Sequence, residues 1–196
     1  MDYGISFIGL LVALPVLIVT GMAIKITSSG PVFYTQLRVG KDGRLFSIIK
    51  FRTMCSDAEF QSGPVRTKQN DSRVTTIGTF LRGAHIDELP QLINVLRGEM
   101  DIIGPRPERP HFVNKLNEEI SGYARRLDVK PGLTGLAQCY CKCDETISDV
   151  KMKLHYDIQY IDNRCWLLDI IIIWRTLSVG ILGGKHQVPG KLFKWD

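Results

Sequence analysis

The chain has 196 residues, with 25 lysines and arginines against 20 aspartates and glutamates and a formal net charge of +5. That length suits a single hydrophobic core, so one catalytic unit plus an anchor is expected, and the positive balance suits an anionic partner without choosing among lipid headgroup, nucleotide phosphate and nucleic acid. Five cysteines are an odd number, which argues against a disulfide framework.

No charged residue occurs from Ile5 to Ile24, and about 20 apolar residues are enough to cross the hydrocarbon core as a helix. The segment lacks the basic start and small-residue cleavage site of a signal peptide and leads straight into folded-looking sequence at Pro31, so it is read as a retained anchor. Pro15, at its middle, removes a backbone hydrogen bond and predicts a kink near Leu14 and Pro15. A bent spanning helix and a helix-break-helix that enters and leaves by one face both satisfy this pattern.

After Ser28-Ser29-Gly30-Pro31, the runs from Val32 to Val39 and Leu45 to Phe51 read as strands around the turn Gly40-Lys41-Asp42-Gly43. Arg38, Lys41 and Arg44 suit a solvated face beside anionic lipid at least as well as phosphate binding. Lys50 and Arg52 alternate onto one strand face beside the polar stretch from Ser56 to Arg73, which makes them candidates for substrate phosphate.

In Ile86-Asp87-Glu88-Leu89-Pro90-Gln91-Leu92-Ile93-Asn94-Val95-Leu96-Arg97-Gly98, Leu89, Leu92, Ile93 and Leu96 share one helical face. Pro90 belongs in a first turn and Gly98 is a natural stop. Asp87 and Glu88 then sit at the positive end of a helix, which is expected to lower a carboxylate's pKa and welcome phosphate. A plain N-cap with an acidic first turn is the competing explanation.

Gly104-Pro105-Arg106-Pro107 holds a guanidinium fork in stiff extended backbone, suited to phosphate or carboxylate. Phe112 to Leu127 reads as an amphipathic helix with Phe112, Leu116, Ile120 and Tyr123 on one face. Lys130-Pro131-Gly132-Leu133-Thr134-Gly135 is another rigid turn, leading into Leu136-Ala137-Gln138. Cys139, Cys141 and Cys143 lack the paired spacing of a zinc site. Reduced cysteines alternating along a strand or loop are favoured over a zinc cluster completed by His155, and no structural zinc is expected. Trp166 to Leu177, broken only by Asp169 and Arg175, reads as an interfacial helix with tryptophans for the headgroup region, or equally as a buried core helix.

Together these blocks resemble the bacterial sugar transferase family, the monotopic phosphoglycosyl transferases that begin glycoconjugate assembly. The resemblance runs through Gly30-Pro31-Val32-Phe33, Lys50-Phe51-Arg52-Thr53-Met54, Asp87-Glu88-Leu89-Pro90-Gln91-Leu92, Gly104-Pro105-Arg106-Pro107, Pro131-Gly132-Leu133-Thr134-Gly135 and Tyr156-Asp157-Ile158-Gln159-Tyr160. Six ordered blocks make a specific match where any one would be weak. The Glu108-Arg109-Pro110 continuation is similar to the larger, multi-domain members, so the chain is expected to be their catalytic part.

The resemblance implies a helix-rich α/β (α+β) monotopic membrane domain with a re-entrant N-terminal helix hairpin, a small β-hairpin and interfacial amphipathic helices. Residues 1–27 would be the re-entrant anchor and 28–196 the catalytic domain, on the cytoplasmic face of the bacterial inner membrane. It implies that Asp87 and Glu88 form the active dyad and hold Mg²⁺, the aspartate attacking the β-phosphate of a UDP-sugar. UMP is released and the resulting phosphosugar ester is discharged to polyprenyl phosphate. Lys50, Arg52, Arg82, Pro105, Arg106, Pro107 and Gln138 are the implied substrate-binding residues. The implied partners are UDP-sugar, polyprenyl phosphate and membrane lipid, with a homodimer allowed and no nucleic acid. Direct transfer without a covalent intermediate, and a non-catalytic scaffold for polysaccharide assembly, are the competing functions.

Overall fold

In the computed structural model, which describes residues 2–55, 71–141 and 146–180 with side chains to residue 178, a long apolar helix leads into a helix-rich α+β body with short two-stranded sheets. The chain divides into two compact units, Met1–Arg38 with Leu45–Met100, and Val39–Arg44 with Asp101–Asp196. The residues expected to form one catalytic domain are shared between them. Most of the polar stretch from Ser56 to Arg73, together with Lys142 and Cys143, lies outside the described residues.

The first unit opens with α1, Asp2–Thr27, one helical element that includes Pro15. At 1.5 Å per residue its 26 residues extend about 39 Å, more than the roughly 30 Å of a bilayer's hydrocarbon core. Its least exposed positions include Ser6, Gly9, Ala13, Leu17, Thr20 and Ile24, a spacing of three or four that draws one stripe along the helix. The helix lies within ordinary contact distance of the unit: a Cβ on Gly9 would be 3.6 Å from Leu92 Cδ1, and one on Gly21 3.4 Å from Val32 Cγ1. Ile24 completes a core with Phe51 and Leu81, flanked by Leu17, Val32, Ile77 and Ile86. The other faces expose Phe7, Ile8, Leu11, Val12, Ile18 and Val19, far more contiguous apolar surface than a soluble monomer shows.

Strands β1, Phe33–Val39, and β2, Leu45–Phe51, pair as expected, and the turn between them places Asp42 (φ 55°) and Gly43 (φ 76°) in left-handed backbone. Phe33 stacks on Phe51 with centroids 5.3 Å apart. Helix α2, Thr76–Gly83, is capped by Thr75, whose hydroxyl accepts from Gly78 N. The expected helix around the dyad is in two pieces: a 3-10 turn over Ile86–Gln91 and then α3, Leu92–Leu96, ending before Gly98 (φ 76°). Pro90 lies inside the 3-10 turn, where it can donate no backbone hydrogen bond.

In the second unit, β3 (Asp101–Ile103) and β4 (Gly132–Thr134) pair in parallel, Asp101 opposite Gly132 and Ile103 opposite Thr134. The single helix expected over residues 112–127 is α4, Pro110–Glu119, followed by a 3-10 turn over Tyr123–Leu127, because Ile120 is extended and Gly122 takes φ 78°. The predicted apolar face survives the break: Leu116, Ile120 and Tyr123 are buried with Val113, Val150 and Leu154, and Phe112 packs beside them. Short α5, Leu136–Tyr140, precedes α6, Ile147–Asp162, which starts with a reciprocal Thr146–Asp149 capping box.

Helix α7, Trp166–Gly180, has one buried face and one exposed face. Leu168 and Ile172 are buried with Ile103, Leu136, Cys139 and Tyr160. The opposite side leaves Trp166 and Trp174 67% and 69% exposed, with Leu167, Ile170 and Leu177 beside them. Cys139 belongs to that core, its Sγ 3.6 Å from Thr176 Oγ1, and burial pushes its thiol pKa up.

Candidate active site

The dyad is fixed to β2 through Asn94 of α3. This side chain is fully buried and acts as a substitute strand neighbour. Its Oδ1 accepts from Ile49 N at 3.0 Å and its Nδ2 donates to Ser47 O at 2.8 Å and Glu99 Oε2 at 2.7 Å. The backbone groups of β2 are thereby satisfied, and the segment carrying Asp87 and Glu88 is registered against Lys50. The Lys50 ammonium donates to Glu88 Oε1 at 2.8 Å. Just before the dyad His85 takes φ 55°, a left-handed turn that histidine enters more readily than most residues.

The two carboxylates are not equivalent. Glu88 is held by Lys50, whereas among the described residues no hydrogen bond or ion pair engages the carboxylate of Asp87, which is only 8% exposed. The expectation that a helix end lowers the Asp87 pKa is overturned. Burial raises it, the neighbouring Glu88 raises it further, and Lys50, Arg82 and His85 pull it back only in part. The physical reason is that the dipole of one six-residue 3-10 turn is weak beside the penalty of desolvating a carboxylate.

Arg82 reaches the same neighbourhood from α2. Its Nε donates to Thr53 Oγ1 at 2.8 Å, and the charges of Asp87, Asp71 and Glu88 act on its guanidinium. Arg52 does not join them. It is buried at the exit of α1, its Nη1 donating to Ser29 O at 2.6 Å and its Nη2 to Ser28 O at 3.0 Å and Ser28 Oγ at 2.6 Å. The sequence placed it with Lys50 by strand alternation, but β2 ends at Phe51 and Arg52 turns to the carbonyls that follow the anchor helix. These bonds tie the exit of α1 to the unit.

Pro105, Arg106, Pro107 and Gln138 belong to the second unit. There the Pro105–Pro107 loop is fixed by its backbone: Gly104 N donates to Thr134 O at 2.9 Å, and Gly132 N to Pro105 O at 2.9 Å. A Cβ on Gly132 would fall 2.0 Å from Gly104 N, so the two chains approach only because this residue has no side chain. The carbonyl of Arg106 accepts from Arg126 Nη2 at 3.0 Å, while Arg126 Nε binds Asp157 Oδ2 at 2.7 Å and Nη1 the Tyr123 hydroxyl at 2.5 Å. Burial opposes the Arg126 charge, but Asp157, Tyr123 and Glu108 outweigh it and raise the pKa. Gln138 Nε2 donates to Leu133 O at 3.2 Å, and its buried Oε1 receives no hydrogen bond from the described residues.

Among the described residues no three histidines, cysteines or carboxylates gather as a ready-made metal site. A carboxylate pair such as Asp87 and Glu88 fits Mg²⁺, which keeps several waters and takes one or two carboxylates together with substrate phosphates.

The first unit thus brings together an exposed apolar helix, a buried carboxylate, a second carboxylate held by lysine and a half-buried arginine. Residues 1–183 match the family model described as bacterial sugar transferase, and the chain belongs to that family. It is 40% identical over 183 residues to the UDP-N-acetylgalactosamine-undecaprenyl-phosphate N-acetylgalactosaminephosphotransferase of Aeromonas hydrophila, covering 93% of this chain and 43% of that protein. It is 38% identical over 183 residues to the UDP-glucose:undecaprenyl-phosphate glucose-1-phosphate transferase of Klebsiella pneumoniae, covering 92% of this chain and 39% of that one. With the exopolysaccharide production protein PSS of Rhizobium leguminosarum bv. phaseoli it shares 37% identity over 188 residues, 92% of both chains. The chain thus spans about two fifths of the first two relatives.

Proposed function

We propose that this chain is the catalytic part of a phosphoglycosyl transferase that moves a sugar 1-phosphate from a UDP-sugar to polyprenyl phosphate, through a covalent phosphosugar ester on Asp87. The observation that carries this reading is the asymmetry of the dyad, Glu88 engaged by Lys50 and Asp87 without a partner among the described residues. A nucleophile must have an uncommitted lone pair, and a carboxylate already desolvated has less water to shed before attack. The names of the relatives from Aeromonas and Klebsiella support the substrate class, and that of the Rhizobium protein supports a role in starting an exopolysaccharide.

In the first half-reaction an Asp87 carboxylate oxygen attacks the β-phosphorus, the bond from that phosphorus to the α–β bridging oxygen breaks, and UMP leaves with the electron pair. In the second, an oxygen of polyprenyl phosphate attacks the same phosphorus and the Asp87 ester bond breaks, returning the carboxylate and giving a polyprenyl diphosphate sugar. No electron transfer is needed. Arg82 and Lys50 offset the charge that repels an incoming carboxylate. Mg²⁺, held by the carboxylate pair and the pyrophosphate, would supply further neutralisation of the oxygens. Incubation with the correct UDP-sugar and Mg²⁺ but no lipid is expected to release at most about one UMP per site and to leave a phosphosugar mass on the Asp87 peptide. UMP released only after lipid addition, with no adduct on an active enzyme, would replace this mechanism by direct transfer. No release with any UDP-sugar would favour a scaffold.

The reading includes a monotopic anchor on the cytoplasmic face, and the docking of α1 supports it. Gly9 in the first half of the helix reaches Leu92, and Ile24 near its end reaches Phe51 and Leu81, so both halves lie on the unit that carries the dyad. A spanning helix would carry its first half away from that unit. The tryptophan face of α7 gives a second apolar surface suited to the headgroup layer. In a cysteine-free background, Asp2→Cys and Lys25→Cys are expected to react with an impermeant maleimide from the same side of sealed vesicles. Labelling from opposite sides would instead establish a span.

A further inference from the structure

We infer that Thr53 is a positioning residue for Arg82, holding the guanidinium by its Nε so that the two Nη nitrogens face the phosphate that Asp87 attacks. The inference rests on the transferase reading above and assigns a task that the sequence motifs did not. Thr53 is buried, 6% exposed, and its hydroxyl accepts from Arg82 Nε at 2.8 Å. Its carbonyl accepts from Thr75 N at 3.0 Å and from the Thr75 hydroxyl at 3.3 Å. Thr75 is also the N-cap of α2, so both ends of Thr53 grip that helix.

The contact depends on Gly78. A Cβ there would lie 2.1 Å from Thr53 O, so α2 can rest on this backbone only with glycine at that position. Residue 82 lies one helical turn beyond 78, on the same face, which brings the arginine over the Thr53 hydroxyl. The cap, the glycine and the hydroxyl therefore act as one fixture, with the guanidinium at its end.

Comparison with Arg52 and Arg126 separates positioning from stapling. Arg52 directs both of its Nη groups to Ser28 and Ser29, and Arg126 directs all three of its nitrogens to Asp157, Tyr123 and Arg106. Those arginines hold the chain together. Arg82 commits only Nε; no described residue accepts from its Nη nitrogens, and the charge that acts on it most strongly is that of Asp87. A planar fork pinned at Nε presents both Nη donors in a fixed plane, the geometry in which arginine binds two phosphate oxygens.

The test uses the full chain in detergent or nanodiscs, undecaprenyl phosphate and a panel of UDP-sugars, with UMP release as the readout. Thr53→Val keeps the shape and removes the acceptor. It is expected to lower kcat/KM about ten- to hundredfold, with the melting temperature nearly unchanged. Thr53→Ser is expected to restore most of the loss. In an Arg82→Ala background Thr53→Val should add nothing, since the arm it positions is gone. Wild-type rates in Thr53→Val, or an equal loss with and without Arg82, overturn the inference. Full activity in Arg82→Ala instead sinks the assignment of Arg82 to the phosphate site. A readout independent of turnover is the Arg82 Nε–H signal in ¹⁵N NMR, identified by its loss in Arg82→Ala. It should be sharp in wild type and Thr53→Ser and broadened by solvent exchange in Thr53→Val, and its persistence in the valine variant overturns the inference whatever the activity.

Discussion

Asp87→Asn is expected to abolish turnover and at the same time to raise the melting temperature at neutral pH. The loss follows from the proposed chemistry, because an amide oxygen is no nucleophile toward phosphorus and the covalent step disappears. The gain follows from linkage. Burial and the Glu88 charge raise the folded-state pKa of Asp87 above its unfolded value, so the folded protein holds that proton more tightly. The contribution of Asp87 to stability is therefore greatest below the ordinary carboxylate pKa of about 3.9 and is lost as pH rises through the folded-state value. At neutral pH the wild type carries that destabilisation, and asparagine, of the same shape, does not. No hydrogen bond from a described residue is lost in the exchange. The difference in melting temperature should shrink as pH is lowered toward the ordinary carboxylate range. An asparagine variant that melts below wild type at neutral pH would identify Asp87 as a structural acid.

The candidate residues most visible in the sequence are those whose setting is local. Asp87-Glu88 beside Pro90, and Arg106 between two prolines, stand out because adjacent residue types already constrain what the backbone can do. The failures are tertiary. Strand alternation put Lys50 and Arg52 on one face beside the polar stretch from Ser56 to Arg73, but it says nothing about where a strand stops or that Lys50 meets Glu88. Arg52 lies one residue past the end of β2 and turns to the anchor's exit instead. The helix-end argument for Asp87 treated the carboxylate as though it were in water. Its pKa is set by the packing of α2 and β2 around it, and that burial has no signature in the Asp-Glu dipeptide. Thr53 was visible only as one member of a motif, because its role exists through Gly78 and Arg82, 25 and 29 positions away. The long apolar segment was legible as an anchor, whereas the stripe of Ser6, Gly9, Ala13 and Thr20 that seats it acquires meaning only once Leu92 is known to lie against it.

Arg126 and Asp157 lie 31 positions apart in the chain and meet in the second unit, and their separation gives the other large effect expected. Asp157 is 1% exposed, and its carboxylate is 2.7 Å from Arg126 Nε. Removing one partner strands a buried charge, so Asp157→Asn or Arg126→Met is expected to cost about 3–5 kcal/mol of folding stability. Replacing both, Arg126→Met with Asp157→Leu, should recover much of that loss, because a packed apolar pair of similar volume often matches a buried ion pair. Arg126 Nη2 also holds the carbonyl of Arg106, and methionine cannot donate that bond, so the recovery should stop short of wild type. The double variant is therefore expected to melt well above either single variant and somewhat below wild type. Thermal melts of the four proteins decide the matter, and a double variant no more stable than the singles would show that the site cannot pack an apolar pair.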